Sequence, residues 1–203
     1  MNNNNIHEII NSTIEGFMNE QFEIKSNKLI LMQPYDNIDV VNVGGRKVYI
    51  LFGNVNYYDN KEAILAIKRK SQTLSLANKS YEEFIQEFKT RFYKINDLNE
   101  SDLLVSIETT APVTEEMASV ISVPFIRNGF KKNDSSFKMR DIKDLSQRLN
   151  VKDIFSLGFD YNNTKTICVL DDFITSGSSF RNAFDKIPNE IKTVGVCLFR
   201  LNS

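Results

Sequence analysis

The chain has 203 residues, with 25 lysines and arginines against 26 aspartates and glutamates, a formal net charge of −1, and 41% hydrophobic residues. This composition is typical of a globular domain with its own hydrophobic core, and it excludes a polybasic nucleic-acid binder of the histone type. A nucleic-acid or protein partner is compatible with the composition but is not indicated by it.

Cysteine and histidine are too scarce for several kinds of site. Cys168 and Cys197 lie in apolar runs, where cysteine is a small buried hydrophobe, and two cysteines exclude a disulfide framework or a zinc ribbon. The single histidine, His7, lies in a polar N-terminal stretch and gives no basis for a serine–histidine–aspartate triad. No apolar run approaches the roughly 18 residues of a membrane span, and the N-terminus lacks the pattern of a secretory signal. We therefore expect a soluble cytoplasmic protein.

Residues 1–58 are predicted to form an N-terminal extension. Apolar residues recur at helical spacing from Ile6 to about Phe22. Two strand-like runs follow, Lys28–Met32 and Lys47–Phe52, and Gly44-Gly45 between them is typical of a turn. The extension is therefore expected to consist of one helix and a hairpin.

Residues 59–203 are predicted to form an α/β domain. Helices are predicted over Asp59–Ile67, Ser80–Tyr93, Thr114–Ile121, near Asp141–Leu149, and over Ser179–Ile187, the second with a capping box of Ser80 and Glu83. Strands are predicted over Asp102–Ile107, Val123–Ile126, Thr166–Leu170 and Thr193–Phe199. This alternation of short apolar strands with helices favours a doubly wound parallel sheet.

The segment Thr166–Arg181 has the clearest functional pattern. A buried strand ends in Asp171-Asp172, and the loop Thr175-Ser176-Gly177-Ser178-Ser179 leads into a helix. Backbone N–H groups at such a junction bind anions, and strand-end carboxylates accept hydrogen bonds from sugar hydroxyls or bind Mg²⁺. We predict a site for a ribose 5-phosphate, in which Gly177 leaves the backbone open to the phosphate. The alternative, in which these residues only cap the helix, stays open.

The sequence VLDDFITSGSS resembles the diphosphate-sugar signature of type I phosphoribosyltransferases: an apolar strand, two acids, an apolar pair, a threonine and a Thr/Ser-Gly-x-Thr/Ser loop. Upstream, Gln147–Phe155 is similar to the segment that precedes the signature in ComF-type (competence-family) members. Weaker similarity extends back to a helix ending at Lys68. The resemblance implies a type I phosphoribosyltransferase-like fold, with the N-terminal extension as its hood.

The resemblance also implies roles for the residues of the signature. Asp171 and Asp172 would be the catalytic acids, holding the ribose 2- and 3-hydroxyls of phosphoribosyl diphosphate and serving the cofactor Mg²⁺. Thr175, Ser176, Gly177, Ser178 and Ser179 would surround the 5-phosphate. The implied reaction transfers the phosphoribosyl group to a nitrogen acceptor that the sequence does not identify. We also expect a homodimer.

Residues outside the signature would complete the site according to the same resemblance. Glu108, Thr109 and Thr110 would face the diphosphate from the loop after the first core strand. Arg148 would belong to a flexible flap, residues 127–148, in which seven bases stand against three acids and attract an anionic substrate.

Two departures from the family pattern favour an alternative function. The cysteine-rich N-terminal zinc module of ComF-type members is absent, and the loop after the first core strand has Glu108 and no base. A carboxylate that faces a diphosphate is unfavourable unless Mg²⁺ lies between them. The alternative is a non-catalytic module of the same fold that senses phosphoribosyl diphosphate or a nucleotide, or that docks a partner.

Overall fold

The computed structural model describes residues 27–28, 37–68, 74–75, 80–108, 112–133, 142 and 144–202. The helices in these residues are α1 (Lys61–Lys68), α2 (Tyr81–Lys94), α3 (Asn96–Asn99), α4 (Val113–Ser119), α5 (Leu145–Asn150) and α6 (Ser178–Phe184). The strands are β1 (Asn27–Lys28), β2 (Asp39–Val43), β3 (Arg46–Ile50), β4 (Asn54–Asn56), β5 (Leu74–Ser75), β6 (Leu103–Ile107), β7 (Phe125–Lys132), β8 (Phe155–Leu157), β9 (Thr166–Leu170), β10 (Phe173–Ile174), β11 (Lys192–Cys197) and β12 (Phe199–Asn202).

A seven-stranded mixed sheet in the order β2-β3-β11-β9-β6-β7-β8 forms the centre of the molecule. Its five inner strands run parallel, and β2 and β8 pair antiparallel at the two edges. All residues of β6 and β9 are buried, as expected for parallel strands covered on both faces. The predicted α/β class with a mostly parallel sheet is confirmed, and the antiparallel edges make the sheet mixed.

Helices cover both faces of this sheet, in an arrangement compatible with a Rossmann-like fold. On one face, α1, α2 and α4 contribute apolar side chains to a core that includes Cys168 and Leu170 of β9. On the other face, α6 packs Phe180 and Phe184 into a second core that includes Val169. No helix in the described part of the chain is long and apolar enough to cross a membrane.

Three neighbouring strands of the main sheet continue, after short breaks, into a small parallel sheet. β9 continues into β10, β11 into β12 and β3 into β4, and the small sheet has the order β10-β12-β4. Main-chain hydrogen bonds connect the breaks, because Leu198 N donates to Asp172 O at 3.0 Å and Arg200 N donates to Gly53 O at 3.0 Å. Asp171 and Asp172 therefore lie where three strands leave the main sheet together.

Several predicted elements are found with small changes in their bounds. Ser80 caps α2 and forms the predicted capping box with Glu83, and Gly44-Gly45 forms the turn between β2 and β3. The predicted N-terminal helix and nearly all of Lys28–Met32 lie outside the described residues. Because β3 pairs with β11, this hairpin shares one sheet with strands of residues 59–203, and the domain boundary at residue 58 stays a prediction.

The segment predicted as a flap is partly a strand. The sequence predicts a short strand over Val123–Ile126, whereas β7 extends to Lys132 and pairs with β8. Arg127, Lys131 and Lys132 therefore belong to β7 and not to a flexible loop. The residues between 134 and 141, and residue 143, lie outside the described residues.

Candidate functional site

The topology of the sheet indicates where a ligand site is expected. From β6 the chain passes through α4 to β7 on one side of β6, and it later returns to β9 on the other side. In doubly wound sheets, ligands bind outside the carboxyl ends of the strands at such a reversal. Glu108 directly follows β6, and Asp171 directly follows β9. The acid pair is therefore at the expected edge of the sheet.

The predicted loop Thr175–Ser179, here called the hydroxyl loop, borders a shallow concavity that measures about 240 Å³ together with the open solvent at its mouth. The residues around it are Asp171, Phe173, Ile174, Thr175, Ser176, Gly177, Ser178, Ser179 and Phe180. The hydroxyls of Ser176 and Ser178 are hydrogen-bonded at 2.6 Å. Six of the predicted site residues, Asp171 and the five of the loop, thus line one concave surface.

Gly177 gives this loop its turn. It has a φ of +80° and precedes α6, and its carbonyl accepts a hydrogen bond from Arg181 N at 2.9 Å. A Cβ on Gly177 would lie 3.0 Å from Val43 Cγ2 and 3.6 Å from Ile174 Cδ1. The left-handed backbone and the close approach of β2 therefore give this position a structural reason for glycine, and the prediction that the glycine leaves the backbone open to phosphate stays a prediction.

The carboxyl of Asp171 borders the concavity from the end of β9. Its Oδ1 accepts a hydrogen bond from Asp172 N at 2.9 Å, and the residue is only 9% exposed. Burial, and then the negative charge of Asp172, raise the pKa of Asp171 well above its usual range. The group is therefore well placed to exchange hydrogen bonds with a ligand hydroxyl.

The carboxylate of Asp172 faces a different group. Its Oδ1 accepts a hydrogen bond from Phe173 N at 2.8 Å, and its Oδ2 lies 2.7 Å from Lys68 Nζ. Apart from Lys68, no side chain or backbone group in the described residues donates to Oδ2. Asp172 does not border the concavity, although its carboxylate is close enough to Asp171 to raise the pKa of that residue.

Lys68 is a charged residue beside the acid pair, and no role is predicted for it from the sequence. It ends α1, and its ammonium lies 5.1 Å from the centre of the Phe173 ring. Burial opposes the charge of Lys68, but the carboxylates of Asp172 and Asp171 outweigh that effect and raise its pKa. A signal is present in the sequence, because Lys68 is four residues from Ile64 and so continues the apolar face of α1.

Glu108 and Arg148 are not brought to the concavity. Glu108 Oε2 accepts a hydrogen bond from Lys132 N, so this carboxylate is directed at the end of β7. Arg148 donates from Nε to the carbonyl of Ile142, beside its own helix. Neither residue lines the concavity, and Thr109 and Thr110 lie outside the described residues.

Of the two acids, Asp171 is the one whose position would suit a Mg²⁺ ion shared with a phosphorylated substrate. Mg²⁺ prefers oxygen ligands and is usually bound through one or two carboxylates together with substrate phosphates and waters. Asp171 has such an oxygen at the concavity. Within the described ranges, no group of three histidine, cysteine or carboxylate side chains gathers to hold a metal alone.

A scan of the chain against models of known protein families and a search of curated proteins both give no match. The functional interpretation therefore depends on the geometry of the acid pair, the hydroxyl loop and Lys68.

Proposed function

We propose that the chain binds the ribose 5-phosphate part of phosphoribosyl diphosphate in the concavity after β9. The observation that carries the proposal is that Asp171 and the five loop residues line the same concave surface. The hydroxyls and backbone N–H groups of Thr175–Ser179 would receive the 5-phosphate. The carboxyl of Asp171 would accept a hydrogen bond from a ribose hydroxyl.

The position and the charge of this site support a phosphorylated sugar. The concavity lies beside the reversal of strand order, where doubly wound sheets bind nucleotides and related ligands. The hydroxyls of Ser176 and Ser178 now bond each other, and either one can rotate to donate to a phosphate oxygen instead. The Lys68 ammonium contributes positive charge beside the concavity, because it lies 5.1 Å from the centre of the Phe173 ring and Phe173 borders the concavity.

The reaction that we propose is transfer of the phosphoribosyl group to a nitrogen acceptor, on a type I phosphoribosyltransferase-like fold. The bond from ribose C1 to the diphosphate oxygen breaks, diphosphate leaves with the bonding electrons, and the acceptor nitrogen forms the new bond to C1. The nitrogen then loses its proton to water. Mg²⁺, when bound, neutralises charge on the diphosphate. The loop and Asp171 hold the sugar in the orientation needed for attack.

Ligand binding measured by calorimetry, with and without Mg²⁺, tests the proposal. We expect ribose 5-phosphate and phosphoribosyl diphosphate to bind the wild-type chain. Asp171→Ala should lose about tenfold in affinity, since it removes one hydrogen bond of the charged type. Glu190→Gln is the matched control, because this exposed acid lies before β11, at the opposite edge of the sheet. Failure of the wild type to bind either sugar phosphate, or an unchanged affinity of Asp171→Ala, would contradict the proposal.

A second candidate is a non-catalytic module that binds the same ligand. Two carboxylates that the sequence assigns to the reaction have other partners, because Asp172 pairs with Lys68 and Glu108 binds the backbone of Lys132. Release of diphosphate from phosphoribosyl diphosphate over a panel of nucleobases distinguishes the two functions. Binding with no release for any base would favour the module.

A further inference from the structure

The two acids after β9 have different neighbours. Along β9, Cys168 and Leu170 belong to the core under α1, α2 and α4, whereas Ile167 and Val169 belong to the core under α6. Beyond the end of β9, Asp171 borders the loop before α6 and Asp172 meets Lys68 of α1. The two carboxyl groups nevertheless stay close to each other, because the charge of Asp172 raises the pKa of Asp171.

The ion pair between Lys68 and Asp172 is costly to build in this position. The side chain of Asp172 is only 6% exposed, and a buried pair frequently stabilises a fold no more than apolar residues of similar size would. The pair is nevertheless held from both sides. The Phe173 ring lies under the ammonium, and the Oδ1 atom of Asp172 is fixed by Phe173 N. We take this cost as an indication that the fixed ammonium has a task beyond stability.

The ammonium of Lys68 retains donors for a ligand. One of its three N–H groups is directed at Asp172, and the Lys68 side chain is 37% exposed. Like other lysine side chains, it is charged at neutral pH. Phe173, which lies beneath this ammonium, also borders the concavity of the hydroxyl loop, so the cation and the loop are neighbours of one residue.

We propose that Lys68 binds the second anionic group of the sugar substrate, its diphosphate, and that Asp172 is the positioning residue that holds Lys68 for this task. This inference rests on the proposed function, since it assigns the 5-phosphate to the loop and the ribose to Asp171. It differs from the role that the family resemblance implies, in which Asp172 holds a ribose hydroxyl. The site would then select ligands with two separate anionic groups over sugar monophosphates.

Calorimetric affinities for phosphoribosyl diphosphate and for ribose 5-phosphate, measured without Mg²⁺ and then with it, test this assignment. Lys68→Met should weaken binding of phosphoribosyl diphosphate about tenfold, as expected for loss of one charge-assisted contact, and leave ribose 5-phosphate within about twofold. Lys68→Arg should retain most of the affinity, because it retains the charge. Lys61→Met is the matched control, since Lys61 is an exposed lysine at the other end of α1.

The positioning role of Asp172 has its own outcome in the same experiment. Asp172→Asn should weaken only phosphoribosyl diphosphate, and by less than Lys68→Met does, whereas the double variant should bind like Lys68→Met. A loss of ribose 5-phosphate affinity in Asp172→Asn, as large as that of Asp171→Ala, would overturn this role and make Asp172 a ribose ligand.

The results for the Lys68 variants distinguish failure of the diphosphate assignment from failure of the proposed function. If wild type binds both sugars and Lys68→Met weakens both equally or neither, the diphosphate assignment is overturned and the ribose 5-phosphate site remains. If wild type binds neither sugar, the proposed function fails and this inference fails with it. The affinity ratio of the two sugars is the informative readout, because a merely structural lysine would leave that ratio unchanged.

Discussion

The coupling between Lys68 and Asp172 can be measured as a free energy of unfolding without any ligand. Lys68→Met leaves the Asp172 carboxylate, whose side chain is 6% exposed, with no donor to Oδ2 among the residues that the structure describes. Removal of one partner from a fully buried pair costs about 3–5 kcal/mol. Because water reaches the open side of this pair, we expect a smaller loss of about 2–3 kcal/mol.

Removal of the charge of Asp172 should lower the free energy of unfolding by less than removal of the charge of Lys68. Asp172→Asn leaves the Lys68 ammonium without its counter-ion, but that side chain is 37% exposed and keeps part of its hydration. We expect a loss of about 1 kcal/mol. The double variant, with methionine and asparagine, has no uncompensated charge, and we expect its loss to fall below the sum of the single losses by about 1–2 kcal/mol.

Urea unfolding at pH 7 and low salt, followed by two spectroscopic probes, provides the four free energies of the cycle. The comparison is valid where the probes coincide and the variants share one slope against urea. Losses that add to within about 0.5 kcal/mol would refute the reasoning, because independent sites add to that accuracy. A larger loss in Asp172→Asn than in Lys68→Met would refute the exposure argument.

Three further changes test packing, backbone conformation and charge. Gly195→Ala should lower the free energy of unfolding in urea by about 1–3 kcal/mol, because the new Cβ would lie 2.8 Å from the Phe180 ring. A smaller loss would mean that α6 moves freely on the sheet. Gly177→Ala should lower the free energy of unfolding by about 1–2 kcal/mol, since φ is +80° there and the new Cβ would lie 3.0 Å from Val43 Cγ2. An unchanged midpoint of urea unfolding would contradict this expectation. Hydrogen bonds from a tyrosine hydroxyl and two lysines lower the pKa of Asp97, so its stabilising effect is present above the unfolded pKa of about 4 and declines as pH falls below it. Asp97→Asn should therefore be less stable than wild type at pH 7 and approach the stability of wild type in acid. A difference in thermal midpoint that stays constant over this pH range would contradict the stabilising role of the Asp97 carboxylate.

Local patterns in the sequence predict the elements whose stability is local. The capping box of Ser80 and Glu83 lies within one turn, and β9 is a continuous apolar run. The length of β7, by contrast, depends on a strand that is distant in the sequence. Its last residues, Phe130–Lys132, pair with β8, and two of the three are lysines that favour a loop when their partner strand is unknown. The small sheet is missed for the same reason, because β4, β10 and β12 are short and satisfy each other's backbone groups.

The candidate site is predictable as far as it is contiguous in the chain. Asp171 and the loop from Thr175 to Ser179 lie in one strand–loop–helix segment, so a single motif identifies them. Lys68 reaches the site from a distant helix, and only a lysine on an otherwise apolar face indicates it. Glu108 is placed at the correct edge of the sheet by its strand, but the sequence does not predict that its side chain is directed at Lys132 N.

The different contacts of Asp171 and Asp172 follow from the fold and not from the motif. A motif treats adjacent acids as equivalent, whereas in the structure Asp171 borders the concavity and Asp172 meets Lys68. What each acid contacts depends on which helix lies next to it. The small sheet determines this for Asp172, because β10 follows the acid pair and pairs with β12, β12 pairs with β4, and β4 leads through one turn into α1. The interruption between β9 and β10 at Asp171 and Asp172 therefore also positions α1, so that Lys68 lies over Phe173. This places a fixed cation beside the concavity.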